Sequence, residues 1–290
     1  MFKDRELPCI GLCVPMIYER NYINDIIALN ENCKTKSCYI YEVYGSLRQD
    51  VIGNLRPSYS IKEIDISLLQ DYIQILHSYN IQFDYVINST LFPIPIGVKI
   101  DNNDVLNFLS GLIEIGVDSF TVSNPYIIML LKRHFPQIKV NASICNEIST
   151  VHQIKEFEDI GVDCIVVDRD INRKFNRLKM LRSYANVPLK LLCNSPCLYQ
   201  CINVQYHSNF SSFLSTTHRY ENTLVTNGHR TPFCLHYCAN KLFSNPIEHL
   251  KSQWIRPEDL CYYHNIGISL FKLDGRDKSA GYMLEVIKAY

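Results

Sequence analysis

Short apolar runs alternate with helix-like segments along almost the whole chain, and this alternation most constrains its fold. Eight of the runs are strand-like, rich in β-branched and aromatic residues; they cover residues 9–16, 38–44, 83–88, 119–123, 138–144, 164–167, 189–192 and 268–273. Short apolar strands suit a parallel sheet that is buried on both faces. The pattern therefore predicts an α/β fold, a parallel (β/α)₈ barrel of the TIM type.

The segments between these runs carry apolar residues at helical spacing. Helices are predicted over residues 66–79, 104–115, 125–135, 150–160, 172–185 and 280–289. The phrases EIGVDSFTV and DIGVDCIVV repeat a corner in which a glycine ends a helix and a strand follows. Repeated corners of this kind are what a barrel built from successive strand–helix units requires.

Length and charge limit the classes of function. The 290 residues are predicted to form one barrel domain, and the net formal charge of zero argues against a nucleic acid partner. No apolar run reaches the roughly 18 residues of a membrane helix. The first 20 residues carry charges and lack the apolar core of a signal peptide, so the expected location is the cytoplasm.

Five cysteines gather in the long stretch between the last two predicted strands, residues 193–263. Cys197 and Cys201 form one CxxxC pair, Cys234 and Cys238 form a second, and Cys193 ends the seventh strand. In a reducing compartment such spacing favours thiolate ligands over disulfides. A 4Fe–4S cluster and a zinc ion each take four thiolates, and unligated thiols are a third possibility. Five cysteines exceed four ligand positions, so at least one is spare.

Polar residues at the carboxyl ends of the strands are the candidate substrate contacts, because barrel active sites lie at that edge. Arg169, Lys272 and Arg276 could position an anionic group, and His207 could transfer a proton. The alternative for Asp168 and Arg169 is a structural ion pair, and the alternative for His207 is a solvated loop histidine. Lys272, Asp274 and Arg276 are expected to form a paired charge network, with plain solvent exposure as the alternative.

Several common catalytic signatures are absent from the sequence. It contains no GxGxxG, GxxxxGK[ST], HExxH, GxSxG or CxxxCxxC motif. A nucleotide-driven reaction or an ordinary hydrolytic mechanism therefore lacks support from motifs.

Three segments together resemble the collagenase-like peptidase family, peptidase family U-thirty-two. They read GVDCIVVDRDINR, NSPCLYQCINVQYHSNF and IRPEDLCYYHNIGISLFKLDGR. The resemblance implies a barrel and a cysteine-held 4Fe–4S cluster, with Cys197, Cys201 and Cys234 matching the pattern best and Cys193 and Cys238 less closely.

Better-understood relatives are oxygen-independent hydroxylases. Some act in anaerobic ubiquinone synthesis, and others act on RNA, with prephenate implicated as oxygen donor. The RNA-modifying relatives carry a long C-terminal extension that the printed sequence does not show, and together with the net charge of zero this makes an RNA substrate less expected.

Three hypotheses follow for the function. The first is an iron–sulfur-dependent, oxygen-independent hydroxylase or related redox enzyme acting on a small molecule or a peptide. The second is a peptidase, which needs an activated nucleophile or a metal-bound water. The third is a non-catalytic iron–sulfur protein that pairs with a homologous partner subunit.

Overall fold

All eight predicted strands are present in the computed structural model, which describes residues 10–33, 38–92, 102–216 and 233–290. They are β1 (Ile10–Pro15), β2 (Cys38–Gly45), β3 (Gln82–Ile87), β4 (Ser119–Val122), β5 (Lys139–Ala142), β6 (Cys164–Val166), β7 (Leu189–Leu192) and β8 (Leu270–Lys272). Cys9, predicted to begin the first strand, lies outside the described residues. Successive strands pair in parallel and β8 pairs with β1, so the predicted barrel is confirmed.

Helices follow each strand and surround the barrel. Those described are α1 (Arg20–Cys33), α2 (Ile66–Ser78), α3 (Asn102–Glu114), α4 (Pro125–His134), α5 (Val151–Asp159), α6 (Phe175–Tyr184), α7 (Val204–Thr216), α8 (Phe233–Ser244), α9 (Ile247–Lys251), α10 (Leu260–Asn265) and α11 (Ala280–Ala289). Short 3₁₀ turns occupy Ser58–Ser60, Ile144–Asn146, Arg169–Ile171 and Pro257–Asp259.

Several predicted elements extend beyond the observed bounds, and two of them show the cause. The strand predicted over residues 138–144 stops at Ala142, because the Ser143 side chain caps a 3₁₀ turn there. The helix predicted from residue 172 begins at Phe175, because the buried Asn172 side chain bonds backbone carbonyls outside the helix.

The repeated Gly-Val-Asp corner has a physical basis in both copies, 116–118 and 161–163. The glycine of each copy has a positive φ, +101° in the first and +93° in the second, which only glycine adopts without strain. In the second copy, Asp163 Oδ2 accepts a hydrogen bond from the Val140 amide (2.7 Å) and forms an ion pair with Lys132 (2.5 Å). Each corner thus ends a helix and ties its aspartate to the beginning of the preceding strand.

Replacing Asp163 with alanine is expected to lower the free energy of unfolding by about 1–3 kcal/mol, because the Val140 amide loses its side-chain acceptor. Asp159→Ala is the matched control, since Asp159 is an exposed residue at the end of α5 and should change stability by less than about 0.5 kcal/mol. Urea denaturation of both variants measures the difference. Equal stabilities for the two variants would contradict this account of the corner.

The barrel interior is polar and charged, whereas the layer between strands and helices is apolar. Lys190 Nζ lies 2.6 Å from Glu42 Oε1, and Lys272 Nζ lies 3.7 Å from Asp84 Oδ2. Because β2 and β7 are not neighbours in the sheet, the first of these contacts must cross the barrel interior. The Asp84 carboxylate also accepts hydrogen bonds from Ser119, Thr121 and Asn141. Strand residues therefore form a buried ionic network inside the barrel.

The segment between β7 and β8 is described except for residues 217–232, and it is fastened to the barrel by two neighbouring residues. Asn172 Nδ2 donates to Leu192 O (2.8 Å) and to Gln253 O (3.0 Å). The Arg173 guanidinium donates to the carbonyls of Leu250 and Trp254. These bonds hold the end of the cysteine-rich segment against the strand from which it starts.

Within the described ranges, none of the helices combines the length and the hydropathy that a membrane crossing requires.

Candidate functional site

Charged side chains meet at the carboxyl end of the barrel, where the loops after β2 and β8 come together. Arg56 Nη2 lies 2.5 Å from Asp274 Oδ1, and Arg56 Nε lies 3.9 Å from Asp277 Oδ1. Burial favours the neutral form of Asp274, but the Arg56 guanidinium holds its pKa below the usual value. Asn194, which follows β7, fixes the same loop by donating to Asp274 O (2.9 Å). The mouth is therefore built from loops that are far apart in the sequence.

Arg276 lies beside this pair and faces Tyr44. Its Nη1 donates to Ser46 Oγ (2.7 Å), and its guanidinium carbon is 5.7 Å from the centre of the Tyr44 ring. Burial lowers the pKa of Arg276, and the like charge of Arg56 lowers it further. The two guanidiniums thus share one poorly solvated region.

Lys272 occupies a deeper position than Arg276. Its Nζ lies 3.8 Å from the centre of the Tyr44 ring and 3.7 Å from Asp84, and its side chain is only 10% exposed. The paired charges expected on the last strand are therefore present. Lys272 itself belongs to the buried network, and the Tyr44 ring links it to the mouth.

Arg169 and His207 also lie at the mouth. Arg169 begins a 3₁₀ turn after β6, and its Nε is buried without a hydrogen-bond partner among the described residues. Within those residues the alternative reading, a structural ion pair with Asp168, is not formed, and the Asp168 side chain instead accepts from the Asp170 amide (3.0 Å). Burial lowers the pKa of His207, and the charges of Arg56 and Arg169 lower it further. His207 on α7 therefore lies near both arginines.

Removing the Arg169 charge is expected to raise the pKa of His207. In the intact protein that pKa lies below the ordinary value of 6.5, so the imidazole is neutral at pH 7 and becomes charged only on acidification. Arg169→Gln removes one repelling charge, whereas Arg177→Gln alters an exposed arginine of α6. NMR titration of the imidazole protons, assigned with His207→Gln, measures the shift. No rise in Arg169→Gln relative to Arg177→Gln would show that the two groups are not neighbours.

Four of the five clustered cysteines are electrostatic neighbours. Cys234 and Cys238 lie one turn apart on α8, and Cys197 and Cys201 precede α7. Burial raises the pKa of the Cys238 thiol, and charges on Cys197, Cys201 and Cys234 raise it further. Burial opposes the charge on Arg169, but Cys197 raises its pKa above the usual value. The cysteines therefore adjoin the cationic mouth.

The fifth cysteine, Cys193, lies apart from this group. Its side chain is fully buried in the apolar layer, and its Sγ faces the Leu191 carbonyl at 3.7 Å. Burial raises the pKa of its thiol, with a further contribution from Cys38. The thiol of Cys193 therefore points into the barrel wall and not toward the other four.

No three histidine, cysteine, aspartate or glutamate side chains of the described ranges are drawn together tightly enough to form a metal-binding set. The four cysteines are thus close enough to influence one another's ionisation without being at coordination distance. The cysteines described are all free thiols.

Two mouth residues were missed by the sequence reasoning, Asn54 and Arg56. Asn54 is fully buried, and its Oδ1 accepts from the Arg56 amide at 2.8 Å. Both belong to the stretch YGSLRQDVIGNLRPS after β2. The available signal was the position of this polar stretch directly after a buried strand, which in a barrel lies at the carboxyl edge.

Comparisons with known proteins agree with this architecture. The chain matches the model of Peptidase family U32 over residues 42–290. It is 29% identical over 277 residues to an uncharacterized protease of Methanocaldococcus jannaschii, which covers 93% of this chain and 76% of that protein. The solved structure of the U32 peptidase Mk0906 superposes with a TM-score of 0.63 at 14% identity, covering 95% of this chain and 96% of that one. The chain belongs to peptidase family U32.

Proposed function

We propose that this chain is an iron–sulfur-dependent, oxygen-independent redox enzyme of the hydroxylase type. Its substrate is a small molecule or a peptide bound at the carboxyl end of the barrel. The observation that supports this most strongly is the placement of two CxxxC pairs, Cys197 and Cys201 just before α7 and Cys234 and Cys238 one turn apart on α8. The charge of Cys197 also acts on Arg169 at the mouth.

The cysteines suit a 4Fe–4S cluster in kind and number. Such a cluster takes four thiolates, and the two CxxxC pairs supply Cys197, Cys201, Cys234 and Cys238. In this assignment Cys193 is the spare cysteine, since its thiol lies in the apolar layer. When bound, a cluster of this type supplies electron transfer.

The other mouth residues bind and orient the substrate or move its protons. Arg169 and Arg276 orient an anionic group, and the neutral His207 imidazole accepts a proton at pH 7. The Tyr44 hydroxyl donates its proton to Leu273 O (2.8 Å) and is therefore already engaged. The part of Tyr44 that acts at the mouth is its ring, which lies next to both Lys272 and Arg276. Lys272 acts as a positioning residue through that ring.

Peptide hydrolysis is the alternative that the names of the relatives suggest. It requires a nucleophile next to a base at the mouth, or a metal-bound water. In the described part of the chain, a serine–histidine hydrogen bond joins His264 Nδ1 and Ser269 Oγ at 2.8 Å. Ser269 directly precedes β8, which puts this pair at the amino end of the barrel, opposite the arginines and cysteines.

A homologous partner subunit is a second candidate, supported by the surface of the cysteine-rich segment. Phe243 is 86% exposed, and Phe233 and Leu250 are each 67% exposed, on α8 and α9. Exposed apolar groups of this size are typical of protein interfaces. Light scattering of the purified chain distinguishes an assembly from a monomer.

Anaerobic reconstitution with ferrous iron and sulfide tests the redox proposal. The loaded protein should develop a broad visible absorption that bleaches with dithionite and returns on oxidation. Cys261→Ser, which alters an exposed cysteine outside the group, should behave like the unaltered protein. Zinc binding instead of iron, together with peptide cleavage that is lost in Cys197→Ala, would establish the peptidase.

A further inference from the structure

The buried polar atoms without partners are almost all hydrogen-bond donors. Eight buried side-chain nitrogen and oxygen atoms lack a hydrogen-bond partner among the described residues, and only Asn172 Oδ1 among them is an acceptor, which leaves seven donors. Four of the seven belong to the mouth: Asn54 Nδ2, Arg56 Nε, Arg169 Nε and Arg276 Nε. Buried donors without acceptors are costly, so this imbalance indicates a missing partner that accepts hydrogen bonds.

The charges at the mouth show the same imbalance. Arg56 has carboxylate partners in Asp274 and Asp277, but Arg169 and Arg276 form no ion pair with any residue that the structure describes. Asp168 and Asp170 influence the ionisation of Arg169 from a distance, while their side chains accept hydrogen bonds from backbone amides. An unpaired buried charge is unfavourable unless an opposite charge arrives.

These groups share one region of the molecule. Arg56 follows β2, Arg169 follows β6 and Arg276 follows β8, so all three lie at the carboxyl edge of the barrel. Arg56 contacts Asp274, two residues before Arg276, at 2.5 Å, and the charges of Arg56 and Arg169 both lower the pKa of His207. Asn54, which is fully buried, bonds the Arg56 amide. A guanidinium is a planar donor that never accepts, so three of them in one region select an oxyanion.

We infer that the mouth contains a binding site, the seat, for the anionic group of the substrate, a carboxylate or a phosphate. The residues that would hold this group are Asn54, Arg56, Arg169 and Arg276. Arg56 and Asn54 enter this seat from the loop after β2, Arg169 from the turn after β6, and Arg276 from the loop after β8. The inference deepens the proposed function, on which it rests for the identification of this anion as substrate. Lys272 is not part of the seat, because its ammonium lies inside the barrel, 3.7 Å from Asp84.

Isothermal titration of anaerobically purified protein with malonate and with inorganic phosphate tests the seat, in chloride buffer of matched ionic strength. At least one of the two anions should bind. Arg169→Gln should weaken that binding at least about tenfold, which corresponds to about 1.4 kcal/mol. Arg177→Gln is the matched control on the outside of α6 and should bind as the unaltered protein does. Binding of malonate alone assigns a carboxylate, and binding of phosphate alone assigns a phosphate group.

Arg169→Lys provides a second variant in case the glutamine variant does not fold. It keeps the charge but loses the guanidinium fork, so it should bind more weakly than the unaltered protein and than Arg177→Gln. The inference is overturned if neither anion binds, if Arg169→Gln and Arg177→Gln bind equally, or if single-stranded RNA binds while both small anions do not. The titration does not depend on iron, so the two proposals can fail separately. Anion binding by a protein that takes up no iron would refute the proposed function and leave the seat intact. An iron-loaded protein without anion binding would refute only the seat.

Discussion

Lys190→Met is expected to lower the free energy of unfolding by about 3–5 kcal/mol, because it leaves the Glu42 carboxylate charged and unpaired inside the barrel. The Lys190 and Glu42 side chains are only 1% and 5% exposed, and their charged atoms are 2.6 Å apart. Burial disfavours the charged carboxylate, but the lysine holds the pKa of Glu42 below its usual value. Chemical denaturation at pH 7 measures the loss.

Two further variants separate the buried charge from the general effect of removing a lysine. Lys251→Met removes an exposed lysine that pairs with Glu248, and it should change stability by less than about 1 kcal/mol. The double change Lys190→Met with Glu42→Leu should recover much of the lost stability, because no unpaired charge remains. A double variant no more stable than Lys190→Met alone would show that the ion pair is not the cause.

Serine substitution of any one of the four grouped cysteines is expected to remove most of the bound iron. Serine replaces a soft thiolate ligand with a hydroxyl that binds iron–sulfur clusters poorly. The four variants are Cys197→Ser, Cys201→Ser, Cys234→Ser and Cys238→Ser. Cys261→Ser is the matched control, since Cys261 is an exposed cysteine, and it should retain its iron. Iron analysis and EPR of anaerobically purified variants measure the effect.

Cys193→Ala distinguishes the spare cysteine from the ligands. The variant should keep its iron and lose stability, because a small buried group of the apolar layer is truncated. Loss of iron from a folded Cys193→Ala protein, with iron retained in one of the other four variants, would reverse the assignment.

The barrel could be predicted from the sequence because its strands are signalled locally. A short apolar run bounded by a glycine corner is the same signal at Gly116 and at Gly161, and both corners have the predicted structure. The predicted ends were less accurate, since they depend on side-chain caps. Ser143 ends a strand early, and Asn172 delays a helix by bonding carbonyls of a distant segment.

The candidate site was only partly predictable, because many of its contacts join residues that are far apart in the sequence. The two CxxxC pairs could be recognised from their spacing, but the isolation of Cys193 depends on which way its side chain leaves the strand. Arg56 and Asp274 form their ion pair across 218 residues, and no local pattern marks such a partner. The buried position of Lys272 likewise has no local signal, because its ion-pair partner Asp84 lies in the other half of the chain.

The metal content of anaerobically purified protein tests the central claim most directly. The account predicts about four iron atoms and about four sulfides per chain, with an EPR signal after reduction that is characteristic of a 4Fe–4S cluster. The Cys197→Ser variant, purified in the same way, should lack both. A chain that contains zinc or no metal, with all four grouped cysteines intact and the barrel folded, would contradict the account.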